Sequence, residues 1–132
     1  MHEWALAEAV INSAVEEAQR KNLRSVGFIS LKIGEVQQID LEVFDFAIKE
    51  LSKGTIIEGA KVEYKEYPAK IRCNSCGYVW KYADSFKDLG EEEKEAIHFI
   101  PETIHVYMHC PKCKSRDFDI EEGRGVWIED IT

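Results

Sequence analysis

The sequence predicts an α+β fold: a small domain of one β-sheet with two helices, and an inserted lobe held together by four cysteines. Three observations carry this expectation. Helical and strand-like periodicities follow one another twice in the first half of the chain, two C-x-x-C pairs lie far apart in the second half, and short alternating segments follow the second pair. On this reading residues 1–69 and 117–132 form the main domain and residues 70–116 the lobe.

The elements follow in order. From Trp4 to Arg20, Ala7, Val10, Ile11, Ala14, Val15 and Ala18 recur at three- and four-residue steps among glutamates, which predicts an amphipathic helix that Asn22 ends. Val26 to Val36 alternates, with Gly27, Ile29, Leu31 and Ile33 on one face, and reads as a strand. Asp40 caps a second helix running to Leu51, whose stripe is Leu41, Phe44, Ile48 and Leu51, and Gly54 closes it. Ala60 to Tyr67 alternates again before Pro68 interrupts the ladder. A short helix is expected over Glu91 to Phe99. Phe118 to Glu122 and Gly125 to Ile131 read as two strands around Gly123-Arg124 that return the chain to the main sheet.

Composition narrows the functional classes. In 132 residues, an apolar share of 45% supports a packed core. A formal charge of -8, from 17 basic and 25 acidic residues, repels a polyanion and makes nucleic acid a poor partner. No apolar run approaches the roughly 20 residues that span a bilayer, and the N-terminus lacks the order of a secretion signal. A cytoplasmic protein with no membrane partner is expected. No Ser-His-Asp order and no phosphate-cradling glycine loop is present, so the chain is not expected to be an enzyme and no catalytic residue is assigned.

In a reducing compartment, Cys73-Asn-Ser-Cys76-Gly77 and Cys110-Pro-Lys-Cys113 read as metal ligands before disulfides. Each pair forms a turn that converges two thiolates, and Gly77 supplies the positive φ such a knuckle needs. Four sulfurs in a tetrahedron suit zinc, and a closed shell leaves no position for substrate, so the site is structural. Two disulfides, an iron-sulfur centre or a redox pair are the rivals. The spacer, residues 77–109, exceeds the roughly 15 to 20 residues of a common zinc ribbon.

The chain begins Met1-His2-Glu3-Trp4. A free amine on Met1 with the amide and imidazole nitrogens of His2 fits three corners of the square preferred by Ni(II) and Cu(II), and leaves the fourth open for transfer. Taken alone, His2 reads more simply as an ordinary polar residue, and Glu3 as an acid favoured in a first helical turn; the Glu3 backbone or carboxylate could also join a metal shell. Of the other histidines, His98, among Ile97, Phe99 and Ile100, is the favoured fourth ligand over His105 and His109. Asp40 is a weaker alternative, since helix capping is its simpler role.

MHEW at the start, IGEVQQID, VFDFAIKEL, CNSCG and CPKC with a closing strand together resemble the HypA nickel metallochaperones of hydrogenase maturation, over nearly the whole chain. The resemblance implies a nickel-binding domain of sheet and two helices, a four-cysteine zinc lobe, and handover of nickel to the [NiFe] hydrogenase large subunit in concert with a HypB-type GTPase. His2, Cys73, Cys76, Cys110 and Cys113 carry over. Residues 84–108 lengthen the spacer and look like the archaeal version of the family. Some members serve urease, and these residues do not separate the two recipients or choose between monomer and homodimer. The alternative is a zinc-ribbon protein-interaction module without nickel transfer. For it, Lys70, Arg72, Lys81, Lys112, Lys114 and Arg116 make the lobe locally less acidic, with Trp80 and Tyr82 nearby, while Asp84 and Glu91 to Glu93 oppose a continuous basic face.

Overall fold

The computed structural model describes residues 3–37 and 39–132. Its elements are α1 (Glu3–Arg20), β1 (Phe28–Gly34), α2 (Leu41–Ser52), β2 (Lys61–Tyr67), β3 (Lys70–Cys73), β4 (Val79–Lys81), α3 (Tyr82–Phe86), α4 (Glu91–Phe99), α5 (Ile104–Tyr107), β5 (Phe118–Glu122) and β6 (Val126–Ile131). The strands form two three-stranded sheets, ordered β2-β1-β6 and β4-β3-β5. The chain divides into two compact units: Met1–Lys32, Ile39–Lys65 and Val126–Thr132 form the first, and Ile33–Gln38 with Glu66–Gly125 the second. No helix among the described residues is long and apolar enough to cross a membrane.

In the first unit, α1 buries Ala7, Val10, Ile11, Ala14 and Ala18, the stripe expected of a 3.6-residue period. It ends in a Schellman motif. Asn22 takes φ 58, Leu23 N–H donates to the Ala18 carbonyl at 2.9 Å and Asn22 N–H to the Gln19 carbonyl at 3.0 Å, which satisfies two otherwise orphaned carbonyls. Asp40 caps α2 as expected, its carboxylate accepting from Glu42 N–H at 3.1 Å and Val43 N–H at 3.2 Å. Phe44, Ala47 and Ile48 are the buried face of α2, whereas Leu41, expected in that stripe, stands exposed in the first turn.

β1 is the central strand of its sheet, which is why Ile29, Ser30 and Leu31 are all buried in succession. Reciprocal bonds between Phe28 and Thr132, at 3.0 and 3.1 Å, fix the β1–β6 pairing. Lys61 N–H donates to the Gly27 carbonyl beside β2. Tyr64 on β2 donates its hydroxyl proton to Asp45 at 2.6 Å and meets the Phe44 ring edge-on at 5.9 Å.

The second unit closes over Val36, Ala69, Ile71, Cys73, Trp80, Tyr82, Ile97, Ile104, Met108, Cys110 and Phe118. β3 is central and antiparallel to both neighbours, with Ile71 opposite Trp80 on β4 and Ile120 on β5, and Cys73 opposite Phe118. α4 begins at Gly90 with the Glu93 carboxylate accepting the Gly90 N–H at 3.1 Å, as in a capping box. The chain enters this unit through a 3-10 turn at Glu35–Gln37 in place of the last strand residues expected up to Val36.

The two closing strands part company. Only β6 pairs with β1; β5 pairs with β3, so residues 117–125 fall in the second unit although the sequence grouped 117–132 together. The reason lies at Gly123, which takes φ +88 against the backbone of Ala69, while Gly34 lies against the Gly123 carbonyl. A side chain at either position would collide with main chain, so the crossing from β5 to β6 requires glycine.

Candidate metal centre

Each cysteine pair lies on a tight turn whose backbone bonds are repeated in the other. Cys73 N–H donates to the Tyr78 carbonyl at 2.8 Å and Gly77 N–H returns to the Cys73 carbonyl at 2.9 Å; Cys110 N–H donates to the Ser115 carbonyl at 2.8 Å and Lys114 N–H returns to the Cys110 carbonyl at 2.8 Å. The residue four beyond the first cysteine therefore needs a left-handed conformation in both turns. Gly77 has φ +79, as expected, and Lys114 has φ 65 despite its side chain.

Two side-chain contacts hold the turns together: Ser75 Oγ donates to Ser115 Oγ at 2.9 Å and Asn74 Nδ2 to Asp117 Oδ1 at 3.0 Å. Below them, Arg116 is fastened to the carbonyls of Val106 and Met108, and Arg72 pairs with Glu121 at 2.7 Å. The basic residues that the sequence placed in this lobe are thus partly engaged within it.

The result brings Cys73, Cys76, Cys110 and Cys113 together with all four sulfurs within 4.8 Å of one another. Cys73 and Cys113 sulfurs are 3.5 Å apart, and Cys76 and Cys110 sulfurs 3.7 Å. A zinc–sulfur length of about 2.3 Å gives a tetrahedral edge of about 3.8 Å, so the donor set fits one tetrahedral ion. All four cysteines are free thiols, not disulfides. Cys73 and Cys110 are buried, whereas Cys76 and Cys113 face outward.

The turns also prepare anionic sulfur. Burial disfavours the Cys73 thiolate, yet N–H groups of Cys76 and Ser75 and the neighbouring thiols outweigh it and bring its pKa down to about 6. Cys110 is lowered against its burial in the same way, with the N–H groups of Lys112 and Cys113 each 3.4 Å from its sulfur. Ser115 N–H lowers Cys113, but the shared protons of Cys73, Cys76 and Cys110 prevail and push it up to about 12. Four thiols this close cannot all ionise without a cation among them. Sequence reading missed these N–H donors and the left-handed Lys114; the available signal was that Lys114 occupies the position equivalent to Gly77.

Of the other predicted ligands, Met1 and His2 lie outside the described residues. Glu3 is the first residue of α1, in the first unit. His98 lies half-buried on α4 of the second unit, its ring 5.1 Å from that of Phe99. His105 stacks on the Phe118 ring at 4.3 Å with Nδ1 3.4 Å from the Arg116 carbonyl, and His109 is exposed next to Cys110. Asp40 is engaged in its helix cap.

Comparison with known proteins agrees with this architecture. The family described as "Hydrogenase/urease nickel incorporation, metallochaperone, hypA" matches residues 1–132. "Hydrogenase maturation factor HypA" of Pyrococcus horikoshii is 44% identical over 99% of this chain and 94% of that protein. The protein of the same name from Thermococcus onnurineus is 46% identical with the same coverage. In fold, the chain is similar to the solution structure of the Ni metallochaperone HypA from Helicobacter pylori, with a TM-score of 0.66 over 99% of this chain and 96% of that one, at 18% identity. Sequence match, mixed helix-and-sheet fold and clustered cysteines converge: the chain belongs to the HypA family of hydrogenase/urease nickel incorporation metallochaperones.

Proposed function

We propose that this protein takes up Ni(II) at its N-terminus, through the Met1 amine and the His2 amide and imidazole with Glu3 beside them, and delivers it for maturation of the large subunit of a [NiFe] hydrogenase. In this reading zinc is the resident metal of the four cysteines, a HypB-type GTPase is the co-acting partner, and the reduced thiols operate in the cytoplasm. The observation that carries it is the closed sulfur cluster in a chain of this family. A tetrahedron already complete with four thiolates offers no position for cargo that must leave again, so the transferred ion needs a different, unfinished donor set. An amine, an amide and one imidazole meet that need for a square-planar ion.

Calorimetric nickel titration of the zinc-loaded protein tests this, beside His2→Ala, His98→Ala and a version carrying one extra residue before Met1. Loss of high-affinity nickel in the His2 and extended proteins is expected, and the His98 protein reports whether α4 supplies a further ligand. Equal binding by all four would leave the zinc-ribbon interaction module as the better account. Transfer of nickel to hydrogenase rather than urease apoprotein then identifies the recipient.

A further inference from the structure

A cleft of about 440 Å³ opens in the second unit close to the second cysteine turn. Tyr78, Trp80, Tyr107 and His109 are among its lining residues, and Asp84 and Asp88 are the acidic residues on its walls. Tyr78 and Trp80 lie nearly parallel, at an interplanar angle of 15° with centroids 6.1 Å apart, and Tyr78 is 41% exposed. Trp80 donates its indole N–H to Ser85 Oγ at 3.0 Å, which fixes β4 to α3 and so fixes the aromatic wall relative to the acidic one. Neither carboxylate forms an ion pair within the described chain.

We propose that this cleft binds an arginine side chain of a partner protein. Aromatic faces carry negative quadrupole density, and with two carboxylates beside them the cleft favours a cation over any neutral or anionic occupant. Among protein cations the guanidinium fits best. It is planar and weakly hydrated, so it stacks on Tyr78 or Tyr107 at little desolvation cost, and its fork reaches a carboxylate such as Asp84 or Asp88 through two N–H groups. The compact, strongly hydrated ammonium of lysine does neither so well. Three of the lobe's own cations are engaged elsewhere: Lys94 lies over the Phe86 ring at 5.4 Å, Arg72 pairs with Glu121 and Arg116 serves the carbonyls of Val106 and Met108. The formal charge of -8 further favours the approach of a basic segment. This surface is independent of which metal the N-terminus carries.

The test uses the full zinc-loaded chain, labelled with nitrogen-15, and follows the Trp80 indole N–H. The probe is a blocked glycine pentapeptide with arginine at its centre, compared with the same peptide carrying lysine or the neutral isostere citrulline. The arginine peptide is expected to shift the Trp80 signal saturably, with lysine about ten-fold weaker and citrulline without saturation. Asp84→Asn/Asp88→Asn should weaken arginine binding at least about ten-fold while zinc content and the remaining spectrum stay unchanged. Equal response to citrulline and arginine would overturn the proposal by reducing the site to an apolar groove, and equal response to lysine would overturn the assignment to arginine. Undiminished arginine binding in a folded double variant would do the same. Since the peptide comparison is made on the wild-type chain, it decides even where the double variant fails to fold.

Discussion

With zinc at the four cysteines as proposed, replacing one of them with serine should have a cost that depends on which cysteine it is, and the two members of the first knuckle make the comparison. Structural zinc in small domains binds with about 10–16 kcal/mol; shared over four thiolates, each is worth about sixty-fold in affinity at least. Cys76 is exposed, so in Cys76→Ser the hydroxyl stays in water and the loss is the ligand alone. Cys73 is 1% exposed, lies within the core with Ile71 and Phe118, and stands opposite Phe118 on β5. A serine there loses the ligand and also buries a hydroxyl among apolar groups, which adds about another ten-fold or more. Competition against a chromophoric zinc chelator measures both dissociation constants. The Cys73→Ser protein should also lose protease resistance over residues 66–125 before the Cys76→Ser protein does. Equal constants for the two variants, or a greater loss in Cys76→Ser, would show that burial around the sulfur does not set the stability of this centre.

Three further outcomes follow from individual contacts. Asp45 is held below the usual carboxylate range because hydrogen bonds from Lys49 and Tyr64 outweigh its desolvation. A depressed carboxyl contributes stability above its unfolded pKa of about 3.9 and loses it as pH falls through the folded value. Tyr64→Phe should therefore lower the melting temperature most above about pH 4, with a difference that narrows in stronger acid; a gap that widens in acid would contradict this assignment. Gly123→Ala, at φ +88 and against Ala69, should destabilise by more than about 2 kcal/mol in chemical denaturation. Lys114→Gly should instead leave zinc affinity unchanged or raise it, because it relieves a left-handed residue at φ 65; a marked drop in zinc affinity would mean that the lysine side chain itself supports the turn.

What could be read from the sequence was local and periodic. The stripe of α1, the Asp40 cap and the turn within each C-x-x-C pair depend on spacings within a few residues, where hydrophobic period, cap chemistry and ligand geometry act alone. The errors concern pairing at long range. Leu41 matches the α2 stripe but falls in the first turn, where the stripe no longer meets the core. Phe118–Glu122 alternates just as Val126–Ile131 does, and nothing in either segment says which sheet it joins. That choice is made by the close approach of Gly123 to Ala69 and of Gly34 to Gly123, contacts between residues far apart in sequence. α3, α5 and β4 were too short to show a period at all.

The long spacer gains its meaning from the same pairing. β3 leads directly into the first knuckle and the second knuckle leads into β5, so the antiparallel β3–β5 pair puts Cys73 opposite Phe118 and Asn74 within hydrogen-bonding reach of Asp117. The two ligand pairs are thus registered by backbone bonds as well as by any ion between them. Residues 77–109 are free of that duty. Trp80, Tyr82, Ile97, Ile104 and Met108 from this stretch enter the core around the sheet, which gives the lobe apolar burial that an isolated knuckle pair lacks. Loss of metal should consequently loosen the two knuckles while Ile71 stays packed between Trp80 and Ile120, a difference that amide exchange along β3 would read. If Ile71 exchanges as fast as Cys76 once the metal is stripped, the spacer's core does not support the lobe without its ion.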